Sequence, residues 1–121
     1  MDVLKYWNSV LEQDACAMRG FFHPDAVIEW HNTGERFTVE EFINVNCGYP
    51  GEWSGTVERE ERCGDCIVTA AHVYSRDGSV SVHAVSFIKI RDGKIIALDE
   101  YWGDDGPPPQ WRQDMHTGSS M

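Results

Sequence analysis

Basic side chains are scarce in this sequence: its 121 residues include ten Lys and Arg against twenty Asp and Glu, a formal net charge of −10. A surface of this sign repels phosphate backbones and anionic bilayers, so we expect neither a nucleic-acid partner nor a membrane partner. No apolar run reaches the roughly 18 residues that a membrane-spanning helix needs, and residues 1–13 lack the apolar core of a signal peptide. We therefore expect a cytoplasmic protein.

Cysteine is also scarce, with four residues at irregular spacing. This pattern does not form the disulfide framework of a small secreted protein and indicates free thiols in a reducing compartment. Two of the cysteines form the motif Cys63-Gly64-Asp65-Cys66, whose spacing occurs in metal knuckles and redox pairs but also on either side of a hairpin turn. Because no second such pair exists, we favour the turn and assign no metal.

The rest of the composition is typical of one folded domain. Hydrophobic residues make up 41% and charged residues 25%, with five Trp, five Phe and four Tyr, which excludes a disordered or collagen-like chain. There is no internal repeat and no low-complexity tract. We predict a single domain over residues 1–121, with an extended tail from about residue 104, because Pro107-Pro108-Pro109 precedes Gln110-Trp111-Arg112.

Capping residues and apolar periodicity predict three helices near the N-terminus. Apolar residues at helical spacing follow Asp2, a shorter apolar segment follows Asp14, and Thr38-Val39-Glu40-Glu41 is a capping box. The second helix ends before Pro24, and a strand over residues 26–30 follows. After the third helix the pattern predicts only strands with short turns, over residues 56–63, 66–75, 79–91 and 94–102.

This order of elements predicts an α+β domain in which a curved antiparallel sheet wraps around the N-terminal helices and leaves a cone-shaped cavity. Four segments within residues 2–103 are informative in their order: Phe21-Phe22-His23-Pro24-Asp25-Ala26-Val27, Phe37-Thr38-Val39-Glu40-Glu41-Phe42, Asp92-Gly93-Lys94-Ile95 and Glu100-Tyr101-Trp102. With these segments the chain resembles the nuclear transport factor 2-like superfamily, which includes SnoaL-like polyketide cyclases and ketosteroid isomerases. The resemblance implies the cystatin-like cone fold with a pocket, and it does not imply one reaction.

The final strand carries the best candidate for chemistry. Because side chains alternate along a strand, Glu100 shares a face with Ile96, Leu98 and Trp102. A carboxyl group on such a face loses hydration, which raises its pKa and suits it to proton transfer near neutral pH. Alternatively, Glu100 lies at the mouth of the cavity or pairs with an arginine, which would lower its pKa.

Other polar residues could face a ligand or serve the fold. Asn46 falls on the apolar stripe of the third helix, where its amide either bonds the loop 47–53 or faces a ligand. His72 and His83 lie on neighbouring strands, but the length of the turn at Asp77-Gly78 decides whether they share a face. Two ordinary strand histidines are favoured over metal ligands.

Aromatic residues together predict a pocket for a small apolar or aromatic molecule, although for each ring taken singly a place in the core is favoured. The residues that we expect to bind the ligand are Trp30, Asn32, Asn46, Tyr49, Trp53, His72 and Trp102.

The family resemblance can be followed residue by residue. Laid beside ketosteroid isomerase, Tyr6 falls at the position of the oxyanion-hole tyrosine, but Trp30 replaces the general-base aspartate and Ser86 replaces the second oxyanion acid. Steroid isomerisation is therefore not supported. In SnoaL-like cyclases the acid–base aspartate falls near Gly103 of this chain, with Asp104 one step beyond.

Three functional hypotheses follow. The first is a SnoaL-like enzyme that catalyses proton transfer on a small, partly apolar carbonyl compound without a cofactor, with Glu100 as acid or base and Tyr6 as donor. The second is a non-catalytic module that stores or senses a ligand in the same cavity. The third is a protein-interaction adaptor that uses the sheet or the tail around Trp111. Because Val85 and Phe87 make the outer face of strand 79–91 apolar, we also expect a homodimer through that face.

Overall fold

The computed structural model describes all 121 residues, which form four helices and six strands. The helices are α1 (Val3–Leu11), α2 (Ala15–Gly20), α3 (Val39–Gly48) and α4 (Gln110–Gln113). The strands are β1 (Phe22–Trp30), β2 (Glu35–Phe37), β3 (Trp53–Cys63), β4 (Cys66–Ser75), β5 (Ser81–Arg91) and β6 (Lys94–Asp104). None of the helices combines the length and apolarity needed to cross a bilayer. The predicted α+β class is confirmed.

The first three helices begin at the predicted capping residues. The carboxylates of Asp2 and Asp14 each accept a hydrogen bond from the amide three residues further along, at 3.0 and 3.1 Å. The Thr38 hydroxyl accepts a bond from the Glu41 amide, and the Glu41 carboxylate accepts one from the Thr38 amide. Each bond satisfies an amide that has no partner inside the helix, so these short-range contacts fix where the helices start.

The six strands form one curved sheet in the order β2-β1-β6-β5-β4-β3. Strands β3 to β6 are a continuous antiparallel meander, as predicted. Strand β1 pairs antiparallel with β2 but parallel with β6, which the order of elements along the chain did not predict. This parallel pairing places side chains from the two ends of the domain beside each other.

Three local details differ from the expectations. Strand β1 begins at Phe22, so the segment around Pro24 is part of the strand rather than a break before it. Strand β2 was not predicted, because its three residues are too few to carry a periodic pattern. The tail is not extended throughout: α4 is one helical turn that begins after Pro109, and the Gln113 side-chain amide donates to the Pro108 carbonyl at 2.7 Å. Proline is compatible with the start of a helix, which explains the turn.

Helices α1 to α3 pack on the concave, inner face of the sheet and enclose a core of 17 buried apolar residues, whereas α4 is exposed. On β5, Ala84, Ser86 and Ile88 point into this core, whereas Val85 and Phe87 point outward and are exposed. The outer face also carries exposed apolar side chains from β1 and β6, namely Val27 and Tyr101. The homodimer through this outer face stays a prediction.

Candidate active site

A cavity of about 330 Å³ lies between the helices and the inner face of the sheet. Its wall is mainly apolar and aromatic, and no Lys, Arg or His lines it. A cavity with an apolar wall and a few converging polar groups is the usual form of a small-molecule site. The polar or partly polar side chains that line it, apart from tryptophan, are Tyr6, Gln13, Asn46, Tyr49, Glu100 and Asp104.

Glu100 contributes a buried carboxyl group to the wall of this cavity, with 8% of the residue exposed. One carboxylate oxygen accepts a hydrogen bond from the Trp30 indole at 3.1 Å, and the other accepts a bond from the Ser86 hydroxyl. Burial raises the pKa of Glu100, and the bonds from Ser86 and Trp30 offset part of that rise. The carboxyl group therefore has the environment that the strand pattern predicted.

No arginine neutralises this carboxylate. Arg36 pairs with Glu29 at 2.9 Å, and Arg62 pairs with Glu60 at 3.4 Å, so both are used elsewhere. An ionised carboxylate has about four lone-pair positions, and the bonds from two side chains leave the others free. The group is held in place by neutral donors and still has room to accept a proton or a ligand donor.

A bulge near the start of β6 changes the neighbours that simple alternation predicted. The pairing of β6 with β5 shifts by one residue there, which makes Ile96 the extra residue. Ile95 is fully buried instead, and Ile96 is only half-buried. The prediction that Ile96 shares a face with Glu100 is wrong, because the extra residue of a bulge interrupts the alternation of side chains between the two faces. From Leu98 to the end of the strand the predicted alternation holds.

Tyr6 lies on the helix side of the same cavity and is 1% exposed. Burial, and secondarily the charge of Glu100, raises the pKa of Tyr6 well above its ordinary value, so the hydroxyl keeps its proton and is a donor. The adjacent Trp7 fixes α1 against the sheet, because its indole donates to the Thr69 hydroxyl at 3.2 Å. The structure thus brings the predicted donor and the predicted acid into one cavity.

The four aromatic residues predicted for the pocket all line it. Trp30 and Trp102 meet edge to face with ring centroids 6.3 Å apart, and Tyr49 and Trp53 do so at 6.0 Å. Edge-to-face pairs hold rings at fixed angles, so they give the wall a defined shape.

Asn46 also lines the cavity, but its amide nitrogen does not bond the loop 47–53. Its nitrogen donates to the carbonyl of Val10 at 3.0 Å and to the sulfur of Met18 at 3.3 Å, which ties α3 to α1 and α2. The loop is held instead by Gln13, whose amide donates to the carbonyls of Asn46 and Tyr49, both at 2.9 Å. The prediction that Asn46 bonds the loop is wrong, because its amide nitrogen donates instead to the Val10 carbonyl near the end of α1, which also accepts a bond from the Gln13 amide at 3.1 Å.

Two of the predicted ligand-binding residues lie outside the cavity. Asn32 is exposed and makes two hydrogen bonds to the backbone of Trp102. Its side-chain nitrogen donates to the Trp102 carbonyl, and its side-chain oxygen accepts from the Trp102 amide at 2.8 Å. Asn32 therefore fixes the backbone of β6 beside Trp30 from outside the cavity.

His72 is the second predicted ligand-binding residue that lies outside the cavity, and its side chain is on the outer face of the sheet. It is directly opposite His83, and the two rings stack with centroids 4.8 Å apart. The connection between their strands spans residues 76–80, and this loop keeps the register in which both rings share a face. Asp105 bonds His83, and its carboxylate lies 3.6 Å from His72, so the pair has a structural partner away from the cavity.

Asp104 lines the mouth of the cavity and was not among the predicted site residues. Strand β6 extends to this residue, so the alternation of Glu100 and Trp102 continues to Asp104 on the same face. A strand prediction that ended at residue 102 missed it. The signal was present in the sequence, because continuing the alternation by one step identifies the residue.

The sequence over residues 3–98 matches the SnoaL-like domain family. The chain belongs to the SnoaL-like domain family. No curated protein matches the chain. Among solved structures, this SnoaL-like domain is similar to a candidate ketosteroid isomerase from Kribbella flavida DSM 17836, with 22% identity, a TM-score of 0.80, and 98% of this chain and 87% of that chain covered.

Two further structures share the fold of this SnoaL-like domain. An NTF-2 like protein of unknown function from Burkholderia xenovorans LB400 has 20% identity and a TM-score of 0.78, covering 98% of this chain and 92% of that one. A candidate polyketide cyclase from Streptomyces antibioticus has 17% identity and a TM-score of 0.72, covering 83% of this chain and 88% of that one. At these identities the similarity shows the nuclear transport factor 2-like fold, which confirms the predicted architecture, whereas the predicted family is confirmed by the match over residues 3–98.

Proposed function

We propose that this SnoaL-like domain binds a small, partly apolar carbonyl compound in the cavity and catalyses proton transfer on it without a cofactor. The observation that carries the proposal is the buried Glu100 carboxyl group, which has no cationic partner and lines an apolar cavity. A carboxyl group with a raised pKa can both take and return a proton near neutral pH. The acid–base role of Glu100 and the donor role of Tyr6 are parts of this proposal.

In the proposed mechanism, the ionised Glu100 removes a proton from the carbon beside the carbonyl group. Negative charge then develops on the carbonyl oxygen, and the Tyr6 hydroxyl donates a hydrogen bond to it. The protonated carboxyl returns the proton to the same carbon or to another carbon of the conjugated system. Trp30 and Ser86 act as positioning residues, because they hold the two carboxylate oxygens throughout. The apolar wall strengthens these interactions by excluding water.

A non-catalytic binding module is the second candidate. It is favoured by one observation: both oxygens of Glu100 already accept a bond from within the chain, as a purely structural buried acid would. In this alternative the carboxyl group shapes the cavity, and the aromatic wall binds a ligand that is not changed.

Proton exchange distinguishes the two candidates. The protein is incubated in heavy water with a panel of small cyclic ketones, and deuterium uptake beside the carbonyl is followed by NMR, while tryptophan fluorescence reports binding. We expect uptake above the buffer rate, with Glu100→Gln lowering it by about 10²–10⁴-fold and Tyr6→Phe lowering it less. Asp99→Asn is the matched control, since Asp99 neighbours Glu100 on the opposite face.

Each outcome of this experiment has a defined meaning. Binding of a ketone without enzyme-dependent exchange supports the binding module and rejects the catalytic proposal. Equal loss of exchange in Asp99→Asn and Glu100→Gln also rejects Glu100 as the acid–base residue. If no ketone in the panel binds, the proposed ligand class is wrong.

A further inference from the structure

Two cysteine thiols lie at the tip of the hairpin formed by β3 and β4, far along the sheet from the residues of β3 that line the cavity. Cys63 and Cys66 are directly opposite each other in the antiparallel pairing, and the two residues Gly64 and Asp65 form the turn between them. The turn that the sequence favoured is therefore correct, and it is this turn that makes the two thiols neighbours. Both cysteines are free.

The pairing brings the two residues within the range of a disulfide bond. Directly opposite residues in antiparallel strands have Cα atoms about 4.5–5.5 Å apart. Disulfide bonds join cysteines whose Cα atoms are about 4.4–6.8 Å apart, so no movement of the backbone is needed to bring the cysteines within reach. Gly64 has a φ of 60°, which is the conformation that such a tight turn requires and which fixes the pairing.

The two thiols differ in accessibility. Cys63 is exposed, whereas Cys66 is half-buried between β3 and β5. We propose that Cys63 and Cys66 form a reversible dithiol modification site, in which Cys63 reacts first with a small-molecule disulfide and Cys66 resolves the product into an intramolecular disulfide. This site is independent of the cavity and of the proposed proton transfer.

The reaction is two successive thiol–disulfide exchanges. The Cys63 thiolate attacks one sulfur of the small disulfide, which forms a mixed disulfide and releases one small thiolate. The Cys66 thiolate then attacks the Cys63 sulfur, which forms the Cys63–Cys66 bond and releases the second small thiolate. The two protein thiols are oxidised, the small disulfide is reduced to two thiols, and the two protons lost by the cysteines end on those thiols.

The test uses the full chain and cystamine, a small disulfide with two amines that the net charge of −10 attracts. After reaction and acid quenching, tryptic peptides are analysed by mass spectrometry without reduction. Trypsin cleaves after Arg62 and Arg76, so both cysteines fall in the peptide 63–76. We expect this peptide to lose the mass of two hydrogen atoms and to carry no cysteamine. Dithiothreitol then restores the original mass.

The chain contains its own control. Cys16 is exposed and free in a separate tryptic peptide, so it is expected to keep a cysteamine adduct. Cys66→Ser is expected to convert the loss of two hydrogens in peptide 63–76 into a stable adduct on Cys63. The proposal is overturned if the unsubstituted peptide keeps one or two adducts as Cys16 does. It is equally overturned if the peptide stays unmodified while Cys16 reacts.

Discussion

The hydroxyl group of Ser86 opposes the rise in the pKa of Glu100 that burial causes, and its removal tests the environment on which the proposed mechanism depends. Ser86 is fully buried on β5 and donates to a carboxylate oxygen of Glu100. Because this bond favours the ionised carboxylate, it lowers the pKa that burial raises. Ser86→Ala deletes the donor with almost no change of volume. We therefore expect the pKa of Glu100 to rise further.

The expected change in stability depends on pH. A hydrogen bond to a charged group contributes about 1.5–3 kcal/mol, and one between neutral groups about 0.5–1.5 kcal/mol. Ser86→Ala should thus lower the free energy of unfolding by about 1 kcal/mol more where Glu100 is ionised than where it is protonated. The direction of this pH dependence follows from linkage. The raised pKa of Glu100 favours the folded state at low pH, and that stability is lost as pH rises through the folded-state pKa. A further rise of the pKa in Ser86→Ala therefore increases the loss of stability at high pH.

Two measurements check this expectation. Urea denaturation at a pH below the ordinary glutamate pKa and at a pH above neutrality gives the two losses of stability. Carbon-13 NMR of the Glu100 carboxyl group gives the direction in which its pKa moves, with Glu100→Gln as the assignment control. Thr69→Val is the matched variant, because Thr69 is equally buried, pairs with Ser86 across the strands and bonds the uncharged Trp7.

Only one pattern of results agrees with this reasoning. The loss caused by Thr69→Val should be the same at both pH values, since its hydrogen-bond partner Trp7 does not titrate. A loss from Ser86→Ala that is likewise independent of pH would refute the claim that the hydroxyl stabilises an ionised carboxylate. A downward movement of the Glu100 pKa in Ser86→Ala would refute it as well.

Three further predictions concern the fold and assembly. A Cβ at Gly55 would lie 2.6 Å from the His72 carbonyl oxygen, so Gly55→Ala should cost about 1–3 kcal/mol and lower Tm by about 4–12 °C in calorimetry. Gly103→Ala is the control, because a Cβ there meets open space and should leave Tm unchanged. Asn46→Leu removes the bond to the Val10 carbonyl and should cost about 1–3 kcal/mol by urea denaturation; unchanged stability would contradict a structural role. We also propose that two copies pair through the outer face of the sheet, and sedimentation equilibrium at micromolar concentration showing only a 13.8 kDa species would contradict this.

The features that could be predicted from the sequence are those set by short-range contacts. The helix starts at Asp2, Asp14 and Thr38 each depend on a bond that spans three residues, so the local sequence contains both partners. The burial of Glu100 could be predicted because strand alternation needs only the neighbouring residues. The same alternation, continued further, would have identified Asp104.

The features that could not be predicted depend on distant parts of the chain. Whether His72 and His83 share a face of the sheet depends on the connection between β4 and β5, because a shift of the register by one residue turns every side chain of a strand to the other face. The bulge at Ile96 needs knowledge of its partner strand. Neither partner of Glu100 was predicted, because Trp30 reaches it through the parallel pairing of β1 with β6 and Ser86 through the register of β5.

That parallel pairing also orders the events of folding. The contact between Ser86 and Glu100 spans 14 residues within one hairpin, but the contact between Trp30 and Glu100 spans 70. Closing the longer loop costs more chain entropy, and contacts of such separation form late and slowly. During synthesis the N-terminal helices and β1 leave the ribosome first, yet β1 can pair only with the three-residue β2 until β6 follows. The acid in the wall of the cavity is therefore enclosed only after nearly the whole domain has been made.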